Sequence, residues 1–355
     1  MLRVGIASGD WISPTRTEDK IQRWGGSGWA RIGQYVEKLP YEVHIGTLTW
    51  NRTHLSIFDP YGEMQDVDVI IMQRLMHKGI AKHIKASQAA GIKIINDIDD
   101  WYWGVSPSNM AFKHNHPKNN PNENINHYKT TLAASDLILC STPYLRERIS
   151  EFVNNPIEIT PNTVNTSMYS QHIDSGSTTP VVGWVGSTGH RSNDIETLKG
   201  IIDPMVKNEL IRLYHGGHID GYPTFASLLG IPAHDVMTAP IATTETYPSL
   251  MIMDIGIIPL RDIPFNRCKS DIKGLEYAAS GIPFIAQNLD AYCNLHSSLG
   301  IGRIAKRPDN WLRHLEELRT NPKLRAEEGA YNREAVAVRD TKYGVKRIVE
   351  ILDSL

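Results

Sequence analysis

The chain has 355 residues, of which 41% are hydrophobic and 21% are charged, and its formal net charge is −2. This length exceeds what one hydrophobic core usually supports, so we expect two domains, and the composition argues against a disordered or membrane-embedded protein. The near-neutral charge gives no global attraction for nucleic acid. Met1–Ala7 lack a secretory signal pattern and three cysteines are too few for a disulfide framework, so we expect a cytoplasmic location in a bacterial or virus-infected host cell.

The first half of the sequence alternates short apolar runs with helical segments. This alternation is typical of βαβ units around a parallel sheet, and nearly continuous apolar runs such as Val69–Met72 predict strands covered on both faces. The predicted strands are Leu2–Ser8, Tyr41–Leu48, Val67–Arg74, Lys93–Asp100, Leu137–Cys140 and Ile157–Thr160. The predicted helices are Trp29–Leu39, Ile80–Ala90 and Pro143–Val153.

A polar stretch separates this half from a second alternating series. Residues 171–180 contain little that could pack, which predicts a linker. The strands predicted after it are Val181–Val185, Ile211–Tyr214, Val236–Thr238, Ile255–Leu260, Pro283–Ala286 and Ile301–Ala305. We therefore predict an α/β protein with two Rossmann-like domains that face each other across a cleft at the carboxyl ends of their strands. The predicted parts are a first domain 1–165, a linker 166–180, a second domain 181–340 and a C-terminal helix 341–355 that packs back on the first domain.

The segment Lys269–Ala286 carries the most informative pattern of the second domain. It predicts a helix that runs into a buried strand. Free amides at a helix N-terminus bind phosphate oxygens, so Lys269, Ser270 and Lys273 are candidate ligands of a diphosphate. Glu276 lies one turn beyond Lys273 on the same face, where a carboxylate accepts hydrogen bonds from ribose hydroxyls.

This segment resembles the donor-binding signature of the retaining GT-B glycosyltransferases of glycosyltransferase family four. Members of that family carry two glutamates separated by seven residues, and Glu276 matches the second, which contacts ribose in the family. Cys268 stands at the position of the first glutamate, which departs from the pattern, whereas a Lys-Ser-x-x-Lys-x-Leu-Glu-Tyr subgroup matches better. The resemblance implies a UDP- or GDP-linked sugar as donor substrate, held mainly by the second domain, and no obligatory cofactor.

Other segments are similar to further parts of the same family. Gly183–His190 resembles the glycine loop whose backbone amides approach the diphosphate, because glycine has no side chain to block that approach. The candidate phosphate neighbours in and after this loop are Gly186, Ser187, Thr188, His190 and Arg191. His215 lies in a segment where the family's nucleobase rests on backbone groups, and Arg261 follows a strand at the predicted cleft.

Two segments of the first half complete the predicted cleft. The loop Trp24–Arg31 occupies the first strand-to-helix turn, and Gly26 and Ser27 in it are candidate contacts for a sugar or diphosphate, as in the matching loop of the family. Three carboxylates lie close together at the end of a strand, those of Asp97, Asp99 and Asp100. Like charges repel, so we expect water, a cation or substrate hydroxyls to lie next to them.

These acids have two competing interpretations. Asp97-Ile-Asp99 has the Asp-x-Asp form with which metal-dependent glycosyltransferases of the other major fold bind a divalent ion and diphosphate. The motif lies in the half that should not hold the donor, so we favour acceptor-hydroxyl binding or general-base assistance by Asp99 or Asp100, without an obligatory metal. The polar, aromatic segment Trp101–Asn124 after it predicts an irregular, acceptor-facing loop.

Together these patterns predict a glycosyltransferase that moves a sugar from a nucleotide-diphosphate sugar to an acceptor hydroxyl with retention of configuration. The candidate catalytic residues are Asp99, Asp100 and Lys273, the last stabilising charge on the departing phosphate. The alternatives are a nucleotide-sugar epimerase or phosphorylase of the same fold, or a non-catalytic nucleotide-sugar-binding module. The acceptor, which these patterns leave open, is a protein, a glycan or modified DNA.

Overall fold

A computed structural model describes residues 1–112, 123–190 and 192–355 of the protein. These residues form two six-stranded parallel sheets that are covered by helices, together with two small antiparallel sheets. The predicted α/β fold with two Rossmann-like units is therefore confirmed. Part of the predicted loop Trp101–Asn124 lies outside the described residues.

The first sheet combines the six strands of the first half. Their order across the sheet is Ile157–Ile159, Leu137–Cys140, Lys93–Ile98, Val69–Gln73, Arg3–Ser8 and Glu42–Ile45. Numbered along the chain, this is the flavodoxin-like order 2-1-3-4-5-6, in which the strand order reverses between the first and third strands. Ligands bind where the order reverses, at the carboxyl ends, so the residues that follow Ser8 and Gln73 are placed at the expected crevice.

Two predictions for the first half need correction. The predicted helix Trp29–Leu39 is a π-helix over Trp29–Gly33 and a 3-10 turn over Val36–Lys38. The amide of Gln34 bonds to the carbonyl of Trp29, five residues back, at 3.2 Å, which widens the turn. Among the described residues of this half, the α-helices longer than one turn are Ile80–Ala89, Asn124–Ala134 and Pro143–Ser150.

The predicted strand Tyr41–Leu48 is also broken, at Gly46. Glu42–Ile45 joins the main sheet, whereas Thr47–Trp50 pairs antiparallel with Leu55–Phe58 in a separate small sheet. A Cβ atom at Gly46 would collide with the carbonyl oxygen of Phe58, so the absence of a side chain permits this close crossing.

The second sheet has the Rossmann strand order. Across the sheet the strands are Val236–Pro240, Arg212–His218, Val181–Val185, Ile255–Ile258, Phe284–Gln287 and Arg303–Ala305. This is 3-2-1-4-5-6 along the chain, with the reversal between Val181–Val185 and Ile255–Ile258. Its helices are Ser192–Ile195, Ile202–Lys207, Phe225–Leu229, Pro264–Arg267, Ile272–Ala279, Asp290–Leu299, Pro308–Thr320 and Pro322–Ala335. Among the described residues, none of the helices combines the length and apolarity required to cross a bilayer.

The chain passes twice between the two halves at one place. Val164 and Asp340 form a parallel bridge, with backbone hydrogen bonds from Val164 to Arg339 at 3.0 Å and from Thr341 to Val164 at 3.2 Å. The final helix, Thr341–Asp353, then buries Ile351 and Leu352 in the same apolar cluster as Val4 and Ile6 of the first sheet. The C-terminus therefore contributes to the core of the first half.

The polar segment between the halves is held to the second half by charged side chains. Arg325 is fully buried, and its guanidinium bonds both carboxylate oxygens of Asp174, at 2.7 and 2.9 Å. It also donates to the carbonyl oxygens of Leu318, Arg319 and Ser177. The carboxylate of Asp254 accepts hydrogen bonds from the amides of Ser175 and Val181.

Arg325→Met should destabilise the protein by about 2–4 kcal/mol, because it leaves the Asp174 carboxylate and several carbonyl oxygens without their partner. Arg319→Met is the comparison, because Arg319 pairs with Glu316, which is more exposed than Asp174, and makes one bond to this segment, to the carbonyl oxygen of Thr178 at 3.2 Å; it should cost at most about 1 kcal/mol. Urea unfolding followed by fluorescence checks both variants. Equal losses would contradict the role assigned to Arg325.

Candidate functional site

A cleft of about 470 Å³ lies between the carboxyl ends of the two sheets. Both halves line it: the first half contributes the loop near Gly26 and the end of the Lys93–Ile98 strand, and the second half contributes the loop after Val181–Val185 and the helix Ile272–Ala279. The predicted residues that line it are Gly26, Ser27, Asp99, Asp100, Gly186, Ser187, Lys269, Ser270, Lys273 and Glu276. Most of the predicted site residues, from both halves, are therefore brought together in one place.

Lys273, Glu276 and Tyr247 form a hydrogen-bonded group on the second-half wall. Lys273 and Glu276 lie one turn apart on the helix Ile272–Ala279, with the lysine Nζ 3.2 Å from a carboxylate oxygen of Glu276. The Tyr247 hydroxyl donates to the same carboxylate oxygen at 3.0 Å and accepts from Lys273 Nζ at 2.5 Å. Burial and the Glu276 charge raise the pKa of Tyr247 well above its ordinary value, so this hydroxyl stays protonated.

Lys269 and Ser270 connect the two walls of the cleft. Lys269 Nζ lies 2.8 and 3.1 Å from the two carboxylate oxygens of Asp100 in the first half. Ser270 Oγ accepts a hydrogen bond from the side-chain amide of Asn162 at 2.8 Å. Both side chains were predicted to hold a diphosphate, and both already have polar partners across the cleft.

Cys268, at the position of the family's first glutamate, lies outside the cleft lining. Its side chain is fully buried and packs with Phe265 in an apolar cluster that includes Trp101 and Tyr102 of the first half. Its carbonyl oxygen accepts a hydrogen bond from Thr142 at 3.0 Å. Burial raises the pKa of the thiol, which keeps it neutral. The residue is therefore a contact between the two halves.

The glycine loop follows the central strand Val181–Val185. Gly186 has φ +149°, and a Cβ atom there would lie 3.0 Å from the Trp184 ring, so the turn favours glycine. Ser187 Oγ is buried and has no hydrogen-bond partner among the described residues. Buried polar atoms are normally satisfied, so this hydroxyl is suited to a ligand in the cleft. Thr188 differs from the prediction: it is fully buried and donates to the carbonyl oxygen of Pro223 at 2.7 Å.

Two other predicted contacts also lie away from the lining. His215 is buried beneath the glycine loop, with Nε2 2.9 Å from the carbonyl oxygen of Gly186, and burial lowers its pKa. Arg261 is exposed, and its backbone amide bonds the Asp194 carboxylate at 2.9 Å. Arg191 and the side chain of His190 lie outside the described part of the chain.

The loop of the first half that reaches the cleft is fixed by Asp10. The amide of Gly28 donates to the Asp10 carboxylate at 3.0 Å, and Arg74 donates to the same carboxylate at 2.6 and 2.8 Å. A Cβ atom at Gly26 would meet nothing within 4 Å, so this glycine borders open space. Gly26 and Ser27 are thus presented to the cleft by a loop with a charged anchor.

The three crowded acids have different surroundings. Asp97 is buried and forms an ion pair with Arg31 at 2.6 Å, and Arg31 also donates to Thr160 and Asn162. This pairing occupies Asp97, so the Asp-x-Asp pattern does not point two open carboxylates into the cleft. Within residues 1–112, 123–190 and 192–355, no three His, Cys, Asp or Glu side chains cluster as metal ligands would.

Asp99 and Asp100 both line the cleft, but their hydrogen bonds differ. Burial would raise the pKa of Asp99, yet the Arg74 charge and hydrogen bonds from Ser27 and Tyr102 outweigh burial and hold its pKa below the ordinary value. The hydroxyl of Tyr102 donates to Asp99 at 2.7 Å. Asp100, by contrast, is bonded to Lys269 of the other wall.

Several residues of this site were not found by sequence reasoning. Arg31, Arg74, Asp10, Asn162 and Tyr247 reach the site through contacts with residues distant in the sequence. Asp10 and Arg74 could have been found, since each comes just after a strand at the reversal point of the first sheet. The other three have no comparable local signal.

Comparison with known proteins supports the fold. No protein-family model matches the sequence. The putative teichuronic acid biosynthesis glycosyltransferase TuaH of Bacillus subtilis is 25% identical over 166 residues, which are 44% of this chain and 41% of that relative. Sucrose-phosphate synthase from Thermosynechococcus elongatus has a TM-score of 0.66 at 12% identity, covering 100% of this chain and 99% of its own. Alr3699/HepE from Anabaena, solved in complex with UDP, has a TM-score of 0.64 at 12% identity, with full coverage of both chains.

The two structural likenesses cover the whole chain, and therefore both halves. With the two facing parallel sheets, they show that the chain has the GT-B fold, as the sequence predicted. At 12% identity they establish the arrangement of the backbone and leave the activity to the residues of the site.

Tyr102→Phe should lower the free energy of unfolding by about 1–2 kcal/mol near neutral pH, because Asp99 loses a charge-assisted hydrogen bond. The folded pKa of Asp99 is depressed, so this stabilisation is present above the unfolded value of about 3.9 and is lost as the pH falls through the folded pKa. The difference in the free energy of unfolding between wild type and Tyr102→Phe, measured by urea unfolding, should therefore become smaller below about pH 4.

Tyr128→Phe is the matched control for this pH series. The Tyr128 hydroxyl donates to the backbone carbonyl of Asp97 at 3.2 Å, and a carbonyl does not titrate. The free energy of unfolding lost in Tyr128→Phe should therefore not show the same dependence on pH between pH 3 and 7. The same pH profile for both variants would contradict the assignment.

Proposed function

We propose that the protein is a glycosyltransferase that moves a sugar from a nucleotide-diphosphate sugar to an acceptor hydroxyl. One observation carries the proposal: Lys269, Lys273, Glu276 and the glycine loop at Gly186 face a single cleft, with Asp100 on the opposite wall. Cations and loop amides suit a diphosphate, and carboxylates suit sugar hydroxyls. The sequence likeness to a putative glycosyltransferase and the GT-B fold point the same way.

In this proposal the donor lies along the second-half wall. The diphosphate rests against the amides and hydroxyl of Gly186 and Ser187 and is balanced by Lys273, while Glu276 accepts hydrogen bonds from the ribose. The base lies toward Gly217 and Ile241, which line the same cleft. Similar structures from Anabaena contain UDP and UDP-glucose, so we propose a UDP-linked sugar before a GDP-linked one.

The reaction we propose keeps the configuration at the sugar carbon, as the family-four resemblance implies. The bond from C1 of the sugar to the phosphate oxygen breaks, and its electron pair leaves with the nucleoside diphosphate. The acceptor oxygen forms the new bond to C1 on the same face and gives its proton to the departing phosphate. Lys269, Lys273 and the loop amides stabilise the charge that develops on that phosphate, which supports a transfer without an obligatory metal.

A thermal-shift series with UDP, GDP and their glucose conjugates tests the donor class. A nucleotide at a hundred times its dissociation constant stabilises the folded state by about 2.7 kcal/mol, which raises the melting temperature by several degrees. No rise with any nucleotide would contradict the proposal. Product formation with and without acceptors then separates transfer from epimerisation, phosphorolysis or binding alone.

Lys273→Ala should weaken binding of the nucleoside diphosphate about 10- to 100-fold, because a charge-assisted contact to phosphate is lost, and Glu276→Ala about tenfold. Isothermal titration calorimetry measures both. Lys323→Ala and Glu327→Ala are matched controls, since this Lys–Glu pair is 86% and 61% exposed on another helix. Near-normal affinity in both cleft variants would refute the assignment.

His215→Phe should weaken nucleotide binding about tenfold while His215→Gln retains most of it. The imidazole supports the loop from behind through its bond to the Gly186 carbonyl, and a glutamine amide can donate the same bond. His215 is thus a positioning residue. Calorimetry on the two folded variants checks the difference, and equal affinities would show that the bond to Gly186 does not matter.

A further inference from the structure

We infer that Lys269 is shared between the donor phosphate and Asp100, so that donor binding releases the Asp100 carboxylate to bind a hydroxyl of the acceptor other than the reacting one. The inference rests on the proposed function and adds an order of events to it: donor first, acceptor second. It also selects Asp100, and not Asp99, as the carboxylate that meets the acceptor.

The Lys269 ammonium is paired with a carboxylate of the first half. An ammonium has three N–H donors, and Nζ lies 2.8 and 3.1 Å from the two oxygens of Asp100. It also lies 4.2 Å from the centre of the Phe265 ring, and the lysine side chain is only 12% exposed. A phosphate group that draws the Lys269 ammonium toward itself therefore competes with Asp100 for the same charge and donors.

The backbone at Lys269 is held in place by its neighbours, so a change of partner from Asp100 to a diphosphate involves only the Lys269 side chain. Cys268, the residue before it, is buried in the apolar cluster and bonded through its carbonyl to Thr142. Ser270, the residue after it, is bonded to Asn162. With both neighbours anchored to the first half, Lys269 can turn from Asp100 to a diphosphate without movement of the chain.

Asp99 and Asp100 differ in what they lose when Lys269 turns away. Asp99 keeps its hydrogen bond from Tyr102 and the Arg74 charge, both supplied by its own half. Among the described residues, the hydrogen-bond partner of the Asp100 carboxylate is Lys269 from the other half. Donor binding therefore leaves Asp100 as the carboxylate with free acceptor capacity, and its side chain is 23% exposed while paired with Lys269.

The consequence is a linkage between the two sides of the cleft. If a diphosphate and Asp100 compete for Lys269, removal of the Asp100 charge must improve nucleotide binding, because linkage between two equilibria is reciprocal. The improvement must also vanish when Lys269 is absent. A carboxylate that merely repelled phosphate through space would act with or without Lys269.

The test is a double-variant cycle measured by calorimetry with UDP, or with GDP if that nucleotide binds the wild type. Asp100→Asn should bind the nucleotide about fivefold more tightly than wild type, and Lys269→Ala should bind it more weakly. Asp100→Asn combined with Lys269→Ala should bind like Lys269→Ala alone. Asp99→Asn, which removes a charge one residue away and leaves the Lys269 pair intact, should not show the fivefold gain.

The outcomes separate this inference from the proposed function. Binding in wild type with no gain in Asp100→Asn, or an equal gain in the Lys269→Ala background, overturns the inference and leaves the function standing. No binding of either nucleotide to wild type removes the function and the inference with it. Asp100→Ser provides a second variant with the same expectation, and melting temperatures confirm that each variant is folded.

Discussion

The apolar contact that brings the two walls of the cleft together is the burial of Phe265 and Cys268 of the second half in a cluster of the first. Apolar burial is non-directional and contributes roughly 25 cal/mol per Å², so it can hold two domains close without fixing a polar geometry. The next two residues supply that geometry, since Lys269 and Ser270 bond to Asp100 and Asn162 across the cleft. One short segment therefore supplies both the apolar contact between the halves and the hydrogen bonds that fix the two walls of the cleft relative to each other.

This contact gives a physical account of Cys268. A glutamate at this position would place a carboxylate among Trp101, Tyr102 and Phe265, in an apolar cluster where burial of a charge is costly. A cysteine fits because it behaves as a small apolar side chain when buried. The departure from the two-glutamate pattern is thus linked to how the halves pack, and the adjacent lysine supplies the polar group of this part of the wall.

The sequence predicted the strands of both sheets well, but it did not predict the ion pairs and hydrogen bonds between side chains that are distant in the chain. Leu137–Cys140 and Val181–Val185 have the predicted bounds, because a strand buried on both faces appears as a continuous apolar run. The π-helix at Trp29–Gly33 was missed, because its sequence has no hydrophobic periodicity that distinguishes a π-helix from an α-helix. Pairs such as Arg31 with Asp97 join distant parts of the chain, and no local pattern reports them.

Cations from both walls meet the repulsion among Asp97, Asp99 and Asp100. Arg31 pairs with Asp97, and Arg74, which pairs with Asp10, also acts on Asp99 through its charge; both arginines belong to the same half as the acids. Lys269, which neutralises Asp100, belongs to the opposite wall. The Asp100 carboxylate therefore takes its ion-pair partner from the second half. If a diphosphate binds Lys269, Asp100 loses its ion-pair partner. A hydroxyl of the acceptor can then donate a hydrogen bond to the Asp100 carboxylate.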